Sequence, residues 1–327
     1  MVIIMSAKVA DLHHDLIRRL RTPIFLGSYK KLPEKDLIKL YSSNFHIVLT
    51  AIFTLMTYDT QFREIALLDP FREAITQIIY YDHLIQRNSN LLKKILTFDN
   101  YLDAKSSDTA GFLYHVEGIY GVETLSDFEA LYNLGMRSFS LTWNLGNSFG
   151  SGCKDKKDIG LTSRGEEIIN FALGHSILID LAHLSTKTAL DVLEIADRNV
   201  FISHTGLRPL TNISRNADEK VIEGVVDRKG VIGIIFHKGM LKVNDCKPLD
   251  CFLKHMDYII ENYGIDYVAI GSDLYGIMPE DSIYFKSGEV DDVGAVISLL
   301  SERYSKTEIE KIAYLNFENF LKRSLSK

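Results

Sequence analysis

Asp11-Leu12-His13-His14-Asp15 closes a short run that extends from Val2-Ile3-Ile4-Met5 through Val9-Ala10. The β-branched content of that run predicts a buried first strand. His13 and Asp15 are two residues apart, so on an extended strand they point to the same face and can grip one ion together. An imidazole nitrogen beside a carboxylate oxygen suits zinc or a similar borderline metal. Alone, the triplet reads as a satisfied structural pair ahead of a metal site, and other ligands are needed to reverse that order.

Downstream, the pattern alternates between strand and helix. Phe45 to Phe53 is a nine-residue run dense in β-formers, short enough for a buried strand. Asp69 as N-cap and Pro70 at the first helical position then open a helical excursion around 61–98, with Phe71, Ile75, Ile78 and Ile79 at helical spacing and a break near Asn88-Ser89-Asn90. Further strands are expected at Gly111 to Glu117, Met136 to Trp143, Ser176 to His183, Asn199 to His204, Val231 to Phe236 and Ile265 to Ile270. Between them lie helices opened by Ser126 with Glu129, by Ser163 with Glu166, by Ser185 and by Asn216, and a further helix from Leu253 to Tyr263. The tail after Val290 reads as helix. About eight strands with helices between them predict a single (β/α)₈ barrel over residues 1–327. An open doubly wound sheet is the alternative, but no glycine fingerprint opens its first helix.

Composition narrows the function. The 327 residues are 46% hydrophobic and 24% charged, as in a globular protein with a sizeable core. A net charge of −6 gives no broad basic field, which argues against nucleic acid as the main partner and favours a small molecule. Cys153, Cys246 and Cys251 are odd in number and not spaced as CxxC. They predict neither a disulfide framework nor a thiolate zinc site, and they fit a reducing compartment. No signal peptide and no membrane-spanning run are read, so the expected setting is cytoplasmic.

Barrel enzymes carry their chemistry at the carboxyl ends of strands. His13 and Asp15 end the first expected strand, Glu117 the third, His183 the fifth, His204 the sixth and Asp273 the eighth. Three histidines and three carboxylates at strand ends make the metal reading lead.

The local motifs are Leu12-His13-His14-Asp15, His115-Val116-Glu117-Gly118, Leu141-Thr142-Trp143-Asn144, Asp180-Leu181-Ala182-His183, Ser203-His204-Thr205, Ser214-Arg215-Asn216-Ala217-Asp218 and Gly271-Ser272-Asp273. In order and spacing they resemble the membrane dipeptidase (renal dipeptidase, peptidase M19) family from about residue 8 to residue 321. The resemblance implies a two-zinc dipeptidase. His13 and Asp15 would bind one Zn²⁺, Glu117 would bridge to the second, and His183 and His204 would complete it. Arg215 would hold the substrate carboxylate, and Asp273 would be the acid–base group. A dipeptide is the implied substrate and a homodimer the implied assembly. The chemistry is coherent, since two dications acidify a shared water and polarise a carbonyl.

This chain departs from the family at Trp143, where many members carry a histidine, and at Tyr275, where the usual pattern has a second aspartate. An indole carries one donor and no charge, so Trp143 is expected in the substrate pocket wall without polarising a carbonyl. These departures keep open an alternative: a barrel hydrolase with the same metals acting on a lactone or a peptide-conjugated metabolite. His14 is expected to turn away from the ions, and His46, His83, His175 and His255 read as core or surface residues. His115 and His237 could face the pocket. Arg208 and Arg137 are the substitutes for Arg215 as a carboxylate clamp.

Overall fold

Eight parallel strands close on one another in chain order. They are β1 Val9–His14, β2 Phe45–Phe53, β3 Ala110–Glu117, β4 Met136–Ser140, β5 Leu178–Asp180, β6 Val200–Thr205, β7 Ile232–Ile234 and β8 Val268–Ile270. Each pairs with the next, and β8 returns to β1 through Asp11 opposite Ile270. The result is a (β/α)₈ barrel. This computed structural model describes residues 8–21, 34–54, 56–58, 64–66, 69–284 and 291–326. The expected strand content at Val2 to Met5 and part of the helical excursion lie outside the described residues.

The barrel interior is layered by strand alternation. Leu12, Leu49, Leu113, Leu178, Phe201 and Ala269 form an apolar layer. Phe317, Phe320 and Leu321 of the C-terminal helix Asn316–Leu325 join that same cluster and floor it, with the Phe320 ring 5.6 Å from Phe201. Two residues further along their strands, His115, Asp180 and Ser203 are buried, and Ser138 lies opposite His115. This polar layer supports the carboxyl end of the barrel. Outside the strands, the helix Pro70–Arg87 lays Ile78 and Tyr81 into the main core, where Tyr81 stacks on Tyr114 at 5.7 Å.

Several expectations shift. Thr124, not Ser126, caps the helix Leu125–Asn133, with Asp127 completing the capping box. Thr162, not Ser163, caps Ser163–Gly174, and Asp218, not Asn216, caps Glu219–Asp227. In each case a neighbouring side chain of equal capping power sits in the extended conformation that a cap requires. Asn216 is instead buried, its Nδ2 donating to the carbonyls of Thr211 and Met240 at 2.9 Å. The later helix begins at Pro248, ahead of Leu253, and Ile265–Tyr267 is a 3₁₀ turn before β8. The span around 61–98 is not wholly helical: Leu92–Lys94 lies parallel to β3 as a ninth strand, and Met56–Tyr58 pairs with Glu64–Ala66.

Cys246 and Cys251 form a disulfide with a Cα–Cα distance of 5.6 Å, whereas the cysteine spacing predicted none. The turn that enters the helix at Pro248 folds the two together, which spacing alone does not reveal. The redox argument for a reducing compartment loses its ground at this pair. No helix among the described residues is long and apolar enough to cross a membrane.

Candidate metal centre

The carboxyl end of the barrel gathers every expected ligand. Glu117 is the last residue of β3, and His204 sits one residue before the end of β6. His183 and Asp273 lie just past β5 and β8 in left-handed backbone, with φ of 67° and 57°. Non-glycine residues rarely adopt that conformation, and it recurs where a side chain must be aimed. His13 owes its aim to a bulge. From Asp11 opposite Val48 to His14 opposite Thr50, β1 carries one residue more than β2. Asp11 fixes this bulge, its Oδ1 accepting from the amides of His13 (3.3 Å) and Ser272 (2.9 Å).

Glu117 Oε1 is the point of convergence. It lies 3.0 Å from His183 Nε2, 3.5 Å from His13 Nε2 and 3.6 Å from His204 Nε2. Asp15 Oδ2 is 3.5 Å from His13 Nε2, Asp273 Oδ1 is 4.0 Å from it, and His183 Nε2 and His204 Nε2 face each other at 3.0 Å. Three ligand triads result among the described residues: His13 with Asp15 and Glu117, Glu117 with His183 and His204, and His13 with His204 and Asp273, the first two sharing one glutamate. Both ring nitrogens of His13 and Oδ1 of Asp15 are buried with no hydrogen-bond partner among the described residues. Leaving such groups unsatisfied costs about 1–3 kcal/mol each. A donor set of imidazoles and carboxylates with lone pairs turned inward fits cations and little else.

The electrostatics agree. Burial opposes charge on His13, but Glu117 and Asp15 beside it hold its pKa well above the ordinary value. Glu117 stays well below the usual carboxylate range, since His13 and His183 outweigh its burial. Burial and then Arg215 push His183 down to about 3, and burial with His13 and Arg215 also lowers His204. Asp273 is raised well above its ordinary value by burial, with Asp15 and Glu117 adding and His13 and Arg215 opposing.

A cavity of about 440 Å³ opens beside these groups, lined among others by Phe53, Trp143, Arg215 and His237. Trp143 packs edge-on to Phe53 with ring centroids 5.3 Å apart and lies 5.8 Å from His183. Arg215 Nη2 donates to His183 Nε2 at 2.9 Å and to the His204 carbonyl at 3.1 Å. That imidazole lone pair is the one an ion would take, so this contact and ion binding exclude each other.

The remaining candidates lie elsewhere. His14 bonds Asp11 Oδ2 (2.7 Å) and Tyr41 Oη (2.9 Å), away from the triads. His115 sits in the polar layer, its Nδ1 2.9 Å from Ser138 Oγ. His237 caps the short helix Lys238–Leu241 at the cavity edge. Arg137 donates to the carbonyls of Leu96, Tyr132 and Met136, and Arg208 to Asp218, Thr186 and nearby carbonyls; neither lines the cavity. Tyr275 is fully buried near His14, not in the pocket wall. Sequence reasoning passed over Asn144, whose Oδ1 accepts from His183 Nδ1 at 3.0 Å, although it follows Trp143 directly in a motif already singled out.

Comparison with known proteins accords with this geometry. The pattern described as membrane dipeptidase (peptidase family M19) matches residues 2–324. A Klebsiella pneumoniae protein, called an uncharacterized protein in the pqqA 5' region, is 26% identical over 266 residues, spanning 78% of this chain and 97% of its own. The solved structure of dipeptidase AC, a metallopeptidase of family M19, superposes with a TM-score of 0.81 at 20% identity, covering 98% of this chain and all of that one. A Rhodobacter sphaeroides metallopeptidase liganded with a phosphinate mimic of L-Ala-D-Ala gives 0.79 at 20% identity, covering 97% and 99%. With its barrel, its convergent histidines and carboxylates and a match over nearly its whole length, the chain belongs to the membrane dipeptidase family, peptidase family M19, and is a metal-dependent hydrolase.

Proposed function

We propose that the protein is a two-zinc dipeptidase that cleaves a dipeptide, or a related small amide, carrying a free carboxylate. The observation that carries this reading is the single oxygen, Glu117 Oε1, set 3.0–3.6 Å from three imidazole nitrogens and shared by two ligand triads. His13 and Asp15 would hold one ion, His183 and His204 the other, and Glu117 both. The borderline N/O donor set supports zinc. Bound ions would polarise the scissile carbonyl and acidify a water.

The chain's own groups do the rest. Asp273, beside His13, accepts a proton from the attacking water and returns it to the leaving amine. Arg215 presents a planar fork to the substrate carboxylate, a charge-assisted contact that lysine cannot match. Trp143 and Phe53 form an apolar part of the cleft wall. Trp143 also favours a second reading, the same metals acting on a lactone or a peptide-conjugated metabolite, because an uncharged indole stands where the family resemblance implies an imidazole.

The test is elemental analysis together with a hydrolysis panel. The dipeptide mimic held by the Rhodobacter sphaeroides structure gives the panel its first member, L-Ala-D-Ala; carboxyl-amidated dipeptides and lactones complete it. Two equivalents of zinc and cleavage of free-acid dipeptides over amidated ones are expected. Lactone hydrolysis with intact dipeptides would transfer the assignment to the second reading.

A further inference from the structure

Asp180 ends β5, in the buried polar layer of the barrel, with 1% of its surface exposed. Its Oδ1 accepts from two backbone amides, Ser203 at 2.8 Å and Ala182 at 2.9 Å. Its Oδ2 accepts the Ser203 hydroxyl proton at 2.5 Å. Since that proton is committed to Asp180, the Ser203 oxygen is left to accept from His204 Nδ1, 2.7 Å away. His204 is thereby protonated at Nδ1 and its lone pair sits at Nε2, facing Glu117 and His183. The bond to the Ala182 amide, in turn, pins the turn that throws His183 into left-handed backbone. One buried carboxylate therefore governs the tautomer of one imidazole and the placement of the other.

We infer that Asp180, acting through Ser203 and the Ala182 amide, is the positioning residue for the ion held by His183 and His204. The inference rests on the two-zinc reading above. It makes the two ions unequal in what supports them: Asp180 orders the His183–His204 side, while the bulge held by Asp11 orders His13. Partners of this kind typically contribute 10–100-fold to metal affinity.

Stepwise zinc affinities of the full chain, measured by competition with a chromophoric chelator, test it in the parent, Asp180→Asn and Ser203→Ala. Each variant should weaken one equivalent by about 10–100-fold and leave the other at the parent value. Activity should return as free zinc is raised, with KM for the dipeptide unchanged once zinc is saturating. Ser203→Ala leaves both Asp180–amide bonds in place, so it decides the matter if Asp180→Asn does not fold. Equal weakening of both equivalents in step with a lower melting temperature, or no weakening at all, would overturn the inference. The parent's own stoichiometry judges the two-ion reading separately. If the parent binds a single ion, that reading falls and the inference is decided by whether the same ion weakens in the variants; a parent that binds none overturns both.

Discussion

Asp273 and Asp15 pack over bare backbone at Gly276, where an added Cβ would overlap Asp273 Oδ1 and Asp15 Oδ2. Gly276→Ala should therefore displace both carboxylates, lowering zinc affinity and kcat together while the circular dichroism spectrum stays that of the parent. Unchanged zinc binding would mean that the loop gives way instead. Asp273→Asn is the sharper test of chemistry. It keeps the volume and one acceptor but cannot take a proton, so kcat should fall by about 10²–10⁴-fold with zinc content and melting temperature retained. Near-parent kcat with intact metals would remove Asp273 from the mechanism. Arg215→Lys should raise KM for free-acid dipeptides by an amount equivalent to roughly 1.5–3 kcal/mol and leave amidated ones unaffected; equal effects on both would put the clamp elsewhere. At this scale, residues that end strands were legible because the barrel turns strand ends into neighbours. Asn144 and Ser203 were not: Asn144 meets the His183 imidazole only because adjacent strands bring their ends together, and Ser203, although next to His204, gains its part through Asp180 on the neighbouring strand, which no spacing along the chain encodes.

The helix Asn316–Leu325 closes the floor of the barrel, and its role is energetic rather than chemical. Phe317 and Phe320 are each 1% exposed and insert beneath Phe201. Phe320→Ala should cost about 3–5 kcal/mol, the usual sum of lost transfer energy and a residual cavity. Urea denaturation should report that loss, while kcat at low temperature stays near the parent value because the floor lies at the opposite end from the cleft. A loss below about 1 kcal/mol would show that the floor collapses onto the gap. The tail was readable as helix, but not as a plug, since its apolar face names no partner. Central strands such as β2 and β3 were readable for the opposite reason: buried over most of their length, they are short runs dense in apolar and β-forming residues. Helix starts slipped where Thr124 competed with Ser126 and Thr162 with Ser163, since all four hydroxyls can cap and only the backbone conformation chooses. The bulge in β1 left no mark at all, because one extra residue between Asp11 and His14 changes neither composition nor hydropathy.

Across the whole molecule, folding locks histidines far from the cleft in the neutral form, and this sets an acid limit on stability. Burial pushes His255 down to about 4, and burial with Lys105 and Lys8 does the same to His46. His255 is committed to a single tautomer: its Nδ1 accepts from the Leu207 amide at 3.0 Å, and its Nε2 donates to the Leu241 carbonyl at 3.2 Å. Above the ordinary value of 6.5, neither the folded nor the unfolded chain protonates this ring. Between 6.5 and about 4 the unfolded chain binds a proton that the folded chain refuses, so stability falls as pH falls. Each such histidine contributes a slope of about 1.4 kcal/mol per pH unit inside that window. His13, Asp180 and Asp273 are shifted upward and bend the curve the other way, so the parent profile alone is ambiguous. A difference profile removes them. His255→Gln keeps one acceptor and one donor but cannot titrate; at pH 7.5 it should be less stable than the parent by its packing defect. Because only the parent loses stability through protonation at this site, the gap should narrow on the way to pH 4.5. Urea midpoints measured in chelator, at half-unit steps, give that difference directly, and a gap constant across the range would mean that His255 titrates alike in the folded and unfolded chains.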